Sequence, residues 1–336
     1  MRLKIFAIYA LLLTGTLLAW LAALLSFRHH PMLLGTALLA YGLGLRHALD
    51  ADHIAAIDNV TRKLMQEGKR PAAVGFFFSL GHSTVIVIAA VALAATAMSF
   101  KGQFDALRAV GGVVSTLVSA LFLFAIAVMN ILILASVYRS FRRVVAGERY
   151  ENGDLDALLA GRGVLARLYR PLFGMIRRSW HMYPLGLLFG LGFETATEVG
   201  LLGIAAAEAA QGMPIWSILI FPALFTLGMS LLDSTDGILM LGAYGWAFLR
   251  PMRKLYYNLT ITLLSVIAAL LVGGIEACGL IATELGLHGP LWDGIRALNQ
   301  HFGALGILIV GLFVGGWLLS AAIYRLRGYH RLELEA

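Results

Sequence analysis

Apolar residues along this chain gather into long stretches separated by short polar segments. Stretches of about 20 residues, enough for a helix to cross a hydrocarbon layer, recur near 5–26, 32–58, 73–98, 107–137, 184–209, 215–246, 257–285 and 303–324. They predict an all-α, polytopic membrane protein of about eight transmembrane helices with cytoplasmic N- and C-termini. The opening, Met1 to Phe27, has the basic start and apolar run of a signal peptide. Its run is long, however, and Trp20-Leu21-Ala22 is a poor small-residue cleavage site, so a retained first helix is expected. Residues 1–336 then form one transmembrane domain, with a cytoplasmic loop at about 138–183 between the fourth and fifth helices.

Composition agrees: 60% of residues are apolar and 13% charged, about half the roughly 25% that a soluble domain uses. A formal charge of +7 raises the question of a polyanion partner. With the N-terminus inside, 21 of the 26 Lys and Arg fall on inner segments, four on outer ones, and Arg46 within a span. That is the positive-inside bias; it reports orientation, and no nucleic acid is needed. In the central loop, Leu155, Leu158, Leu159, Leu165, Leu168 and Leu172 alternate with Arg162, Arg167 and Arg170. The pattern suits a basic amphipathic helix on anionic membrane lipid, or equally a solvated linker. The single cysteine, Cys278, excludes a disulfide framework and a thiolate cluster.

A charge at mid-membrane costs roughly 2.5 to 3.5 kcal/mol even on a lenient scale, so each one retained there needs a partner or a task. Four polar groups interrupt the spans: Arg46-His47-Ala48-Leu49-Asp50-Ala51-Asp52-His53 with Asp58 on the second helix, Gly81-His82-Ser83-Thr84 on the third, Glu194-Thr195-Ala196-Thr197-Glu198 on the fifth, and Asp233-Ser234-Thr235-Asp236 on the sixth. At about 1.5 Å per residue, His82 and Glu194 fall near the midplane and His47 and Asp233 in its inner half. A shared inward-facing cavity is feasible, at the depth where secondary carriers bind substrate. On an ideal helix His47, Asp50, His53 and Asp58 share one face, Asp52 lies about 140° away, and His47 and His53 are about 9 Å apart along the axis. Either Asp50 bridges the two histidines or the helix is locally unwound; unwinding is the expectation.

Imidazole combined with carboxylate suits Ni(II), Co(II), Zn(II) or Fe(II), whereas all-oxygen sites suit Mg(II) and thiolates Cu(I). Met229, one turn before Asp233, is a candidate soft donor, although a lone methionine in a span is usually core filler. A single buried histidine is more often a hydrogen-bonded core residue than a ligand; His82 rises above that by sharing a level with other polar helices. Arg46 reads as neutralising Asp50 or Asp52, since a cation repels a cation. Ser83, Thr84, Thr195 and Thr197 read equally well as helix glue. Glu194 and Glu198, at i and i+4, repel each other when both are ionised, so one is protonated or metal-bound. His29, His30, His288, His301 and His330 fall in loops and read as solvated.

These residues in order resemble the nickel/cobalt transporter (NiCoT) family. RHALDADHIAAIDNVTRK, Arg46 to Lys63, looks like that family's second-helix signature, and LGHSTVI (Leu80 to Ile86), LGFETATEV (Leu191 to Val199) and GMSLLDSTDG (Gly228 to Gly237) agree with further family segments. The resemblance implies that His47, Asp50, Asp52, His53 and His82 recognise metal. It makes Arg46, Asp58, Ser83, Thr84, Glu194, Thr195, Thr197, Glu198, Met229, Asp233 and Asp236 supports of the path. Two departures stand out: Glu194 where the family commonly has Asp, and Ser234 where it commonly has Thr.

The function expected is a secondary transporter that imports Ni(II) and/or Co(II) across the bacterial inner membrane, with the ion as substrate and no permanently bound cofactor. The membrane potential favours entry of a divalent cation by about 4.6 kcal/mol per 100 mV. No Gly-rich ATP-binding loop is present, so any ATP drive would need a partner chain; a secondary transporter requires no ATPase subunit. The alternatives are an exporter of the same family and an intramembrane metal-dependent enzyme. Family exporters often carry a His-rich loop, and residues 138–180 contain no histidine. An enzyme site would want His pairs at i, i+3 or i, i+4, and the spans hold none. Oligomeric state and ion preference are not legible.

Overall fold

A computed structural model describes residues 1–96, 101–145, 176–191, 196–247 and 251–326. Among them the regular structure is helical: α1 Arg2–Phe27, α2 Pro31–His47, α3 Ala51–Gln66, α4 Val74–Thr96, α5 Lys101–Val145, α6 Met182–Phe189, α7 Ala196–Ala210, α8 Ile220–Ala247, α9 Pro251–Glu284, α10 Pro290–Gln300 and α11 Phe302–Leu326. Six of these are long and apolar enough to cross a membrane, and the α2–α3 pair, bent by 52°, makes a seventh. The span expected near 184–209 is instead two shorter helices, α6 and α7. Residues 192–195 between them, and the segment Leu155 to Leu172 with its amphipathic pattern, lie outside the described residues.

Burial follows from solvent. Helices α1 and α11 leave Leu3, Phe6, Leu17, Leu25, Leu308 and Leu319 more than half exposed, which is the normal outer surface of a protein whose solvent is lipid. Helix α8 packs against α1, α2, α3 and α4, while α4 lies along α6 and α5 along α9. Lipid supplies no hydrophobic force between helices, so small residues that admit close backbone approach hold such bundles together. The α4–α6 contact is of this kind on both sides. A Cβ added at Gly81 would collide with the Tyr183 carbonyl, and one added at Gly186 with the Phe78 carbonyl. On α11, Gly306 seats against the Leu49 carbonyl at the α2–α3 break.

Candidate metal centre

The break between α2 and α3 builds the site. Helix α2 stops at His47, α3 restarts at Ala51, and Asp50 between them is extended, with φ −68° and ψ 145°. On a straight helix His47 and His53 would be about 9 Å apart along the axis; here their ring centroids are 4.7 Å apart. His82 of α4 closes the triangle, 4.8 Å from the His47 ring and 4.9 Å from that of His53. All three side chains are buried, and one ring nitrogen from each lies within 4.8 Å of the others.

Each imidazole has its own carboxylate. Asp50 Oδ2 is 3.0 Å from His47 Nδ1, the Asp233 oxygens are 3.2 and 3.3 Å from His53 Nδ1, and Glu198 Oε1 is 2.9 Å from His82 Nε2. For His47 and His53 the carboxylate takes Nδ1 and leaves Nε2 to another partner, the arrangement in which an outer carboxylate strengthens a metal-ligating histidine. Glu198 differs, because it meets the nitrogen that also faces His47 and lies 3.8 Å from His47 Nε2. It is therefore at the donor cluster itself.

Two features of the cluster are ones that a bound cation would account for. His47 Nε2 and His82 Nε2 are 2.8 Å apart, and two imidazole lone pairs at that range repel unless a proton or a metal ion stands between them. Ligands in cis positions on an ion, with bonds of about 2.1 Å, are about 3 Å apart. In addition, His53 Nε2 is buried with no hydrogen-bond partner among the described residues, a state that is costly unless something polar arrives. Phe78, edge-on to His53 at 4.8 Å, and Phe225, 5.6 Å from His47, wall the cluster with apolar rings.

The structure gathers His47, Asp50, His53, His82, Glu198 and Asp233 into this cluster and sets the other candidates apart. Asp52 is half-buried in the first turn of α3 and hydrogen-bonds to none of the three rings. Arg46 does not neutralise Asp50 or Asp52: it is exposed and makes no ion pair among the described residues. Met229 is fully buried in an apolar cluster with Ala48, Leu224 and Phe225, as core filler would be. Thr84 donates to the Leu80 carbonyl at 2.7 Å and meets the Tyr183 hydroxyl at 3.0 Å, the helix-glue reading. Ser83 and Ser234 are buried beside His82 and Asp233, and among the described residues their hydroxyls and one carboxylate oxygen of Asp236 find no hydrogen-bond partner. Glu194 and Thr195 lie outside the described residues; Thr197 is in α7, and its side chain is likewise outside them. His29, His30, His288 and His301 are exposed.

Asp58 belongs to a second polar network nearer the C-terminal end of α3. It accepts from Ser265 Oγ at 2.8 Å and from the Tyr244 hydroxyl. Arg62, fully buried, donates to Ser265, Thr262 and Asn59 at 3.0 to 3.2 Å, and Asn130 of α5 joins at Asn59 with a bond of 2.6 Å. The charge tally places Arg62 at the cytoplasmic face; its position one turn after Asp58, on the same helix face, is the signal that could have found it. Nothing local marks Tyr244.

The profile of the NicO family, described as high-affinity nickel-transport protein, matches residues 33–323. The chain is 59% identical to a high-affinity nickel transport protein of Cupriavidus necator, over 100% of this chain and 95% of the relative. It is 51% identical to the hydrogenase nickel incorporation protein HupN of Bradyrhizobium diazoefficiens, over 94% and 82% of the two chains. It is 41% identical to the cobalt transport protein NhlF of Rhodococcus rhodochrous, over 85% and 81%. No solved structure matches the chain.

Proposed function

Because the chain belongs to the NicO family of high-affinity nickel-transport proteins, we propose that it is a secondary transporter that brings Ni(II), or Co(II), across the bacterial inner membrane into the cytoplasm. The observation that carries this reading is the buried trio His47, His53 and His82, set at a break in a membrane-spanning helix pair with three carboxylates in contact. The whole chain acts as one transport unit, with no resident cofactor and no ATPase subunit.

An ion in transit must give up water, and only strong donors compensate for that in a low-dielectric interior. Imidazole nitrogens of His47, His53 and His82 supply donors of intermediate softness, which favours nickel and cobalt over magnesium or calcium. Glu198 is the fourth donor. Asp50 and Asp233 hold two of the rings in place and, with Glu198, offset the ion's double charge. Asp52 and Ser83 flank the donors, and the Asp58–Arg62 network lies further along α3. The α2–α3 break gives the site a joint at which the two halves of one span can move separately, as discontinuous helices do in carriers. The relatives named above are described by transport or incorporation of nickel or cobalt, which supports a carrier over an enzyme.

The test is flux. Purified chain in liposomes, given an inside-negative potential, is expected to accumulate radioactive Ni(II) with no other protein present. The driving force should grow by about 4.6 kcal/mol per 100 mV. Absence of flux of either Ni(II) or Co(II) at any potential would overturn the proposal.

A further inference from the structure

A second concentration of charge lies at the C-terminal end of α3, away from the metal centre. The turn joining α3 to α4 and the segment leading into α6 border an open cavity of about 400 Å³, lined by Lys69, Arg70, Arg177, Arg178 and Ser179 together with Leu64 and Pro71. One acid answers these four cations among the described residues. Glu67 pairs with Lys69 at 2.5 Å and with Lys63 at 3.5 Å. Arg70, Arg177 and Arg178 make no ion pair among the described residues.

The walls are tied together. Lys63 donates to the Ile176 carbonyl at 2.5 Å and Lys69 to the Arg177 carbonyl at 2.9 Å. The backbone segments that carry the three guanidinium groups are thus already held together, which lowers the ordering cost of binding an anion.

Depth decides what that anion is. From His53 to Gln66 α3 runs about 20 Å along its axis at 1.5 Å per residue, longer than the roughly 15 Å of half a hydrocarbon core. Trp180, 53% exposed and adjacent to Ser179, marks the same level, since tryptophan concentrates at the membrane–water boundary. The bias of Lys and Arg makes this the inner face, where the leaflet carries anionic lipid. We propose that this cavity binds the phosphate of an anionic inner-leaflet phospholipid. Arg70, Arg177 and Arg178 supply the charge, Ser179 a donor hydroxyl, and Leu64 and Pro71 an apolar surface for the glycerol end. Bound there, the lipid joins the C-terminal end of α3, the helix whose first turn carries His53, to the segment that enters α6, the packing partner of α4.

Native mass spectrometry of the full chain, stripped of lipid in detergent, tests this with phosphatidylglycerol, phosphatidylcholine and inorganic phosphate as probes. The expected result is a phosphatidylglycerol adduct retained in preference to phosphatidylcholine. Arg70→Gln and Arg178→Gln should each weaken it about fivefold, while Arg142→Gln, an exposed position on α5 outside the cavity, leaves it unchanged. Ni(II) binding and elution as a single species should persist in all three variants, which separates lipid loss from misfolding. Equal retention of the two lipids, or an undiminished adduct in both cavity variants, would overturn the proposal. Full displacement of the lipid by millimolar inorganic phosphate would overturn the lipid assignment in favour of a free-anion site.

Discussion

Alanine at His47 or at His53 is expected to lower Ni(II) uptake by more than about 100-fold while the protein inserts into the membrane at its normal level. Loss of an outer carboxylate that merely orients a ligand costs about 10- to 100-fold in metal affinity, and loss of the ligand itself must exceed that. Two effects combine in each variant. A nitrogen donor disappears, and its carboxylate, Asp50 at 3.0 Å or Asp233 at 3.2 Å, stays buried without a partner. Asp233→Asn separates the effects, because it keeps the His53 donor and the side-chain shape while removing charge. It should fall within the 10- to 100-fold range, between wild type and the alanine variants. Uptake normalised to membrane-inserted protein measures the series. Unimpaired uptake in both alanine variants would remove the α2–α3 break from the mechanism.

The second large effect concerns a residue that touches no metal. Gly186→Leu is expected to abolish the folded, monodisperse protein, and Gly186→Ala to weaken it measurably. Even the first carbon of the new side chain would collide with the Phe78 carbonyl on α4, so backbone rather than a flexible side chain has to give way. Overpacking of this kind costs about 1 to 3 kcal/mol, occasionally more, and leucine adds three further carbons. The displacement bears on function as well. His82 lies one turn beyond Phe78 on α4, and its contacts with Glu198 at 2.9 Å and His47 at 2.8 Å allow little drift. Thermal unfolding in detergent, followed by Ni(II) binding on whatever survives, measures both consequences. A leucine variant with unchanged melting temperature would show that α4 and α6 are not in backbone contact.

The parts legible in the sequence are those that depend on local pattern. Long apolar runs gave the helices. The conflict at His47 and His53, which share a face yet stand about 9 Å apart on an ideal helix, already pointed to a break, and the structure has it at Ala48–Asp50. What resisted reading depends on rotation between helices. Sequence spacing allowed Asp50 to bridge both histidines. Once the pair bends by 52°, Asp50 keeps His47 and His53 turns to Asp233, which is 180 residues away in the chain. Arg46 is exposed, while Arg62, placed at the membrane surface by the charge tally, is fully buried among Asn59, Thr262 and Ser265. The fifth span reads as one apolar run near 184–209, but α6 ends at Phe189 and α7 begins at Ala196. Length and hydropathy alone do not mark such an interruption.

The central claim is that imidazole nitrogens replace water around the ion inside the bilayer. Nickel K-edge X-ray absorption of the purified, nickel-loaded chain tests it without reference to flux. The account predicts the multiple-scattering signature of at least two histidine rings, lost in part when His53 is replaced by alanine. A coordination sphere of oxygen alone, the same in wild type and variant, would contradict it.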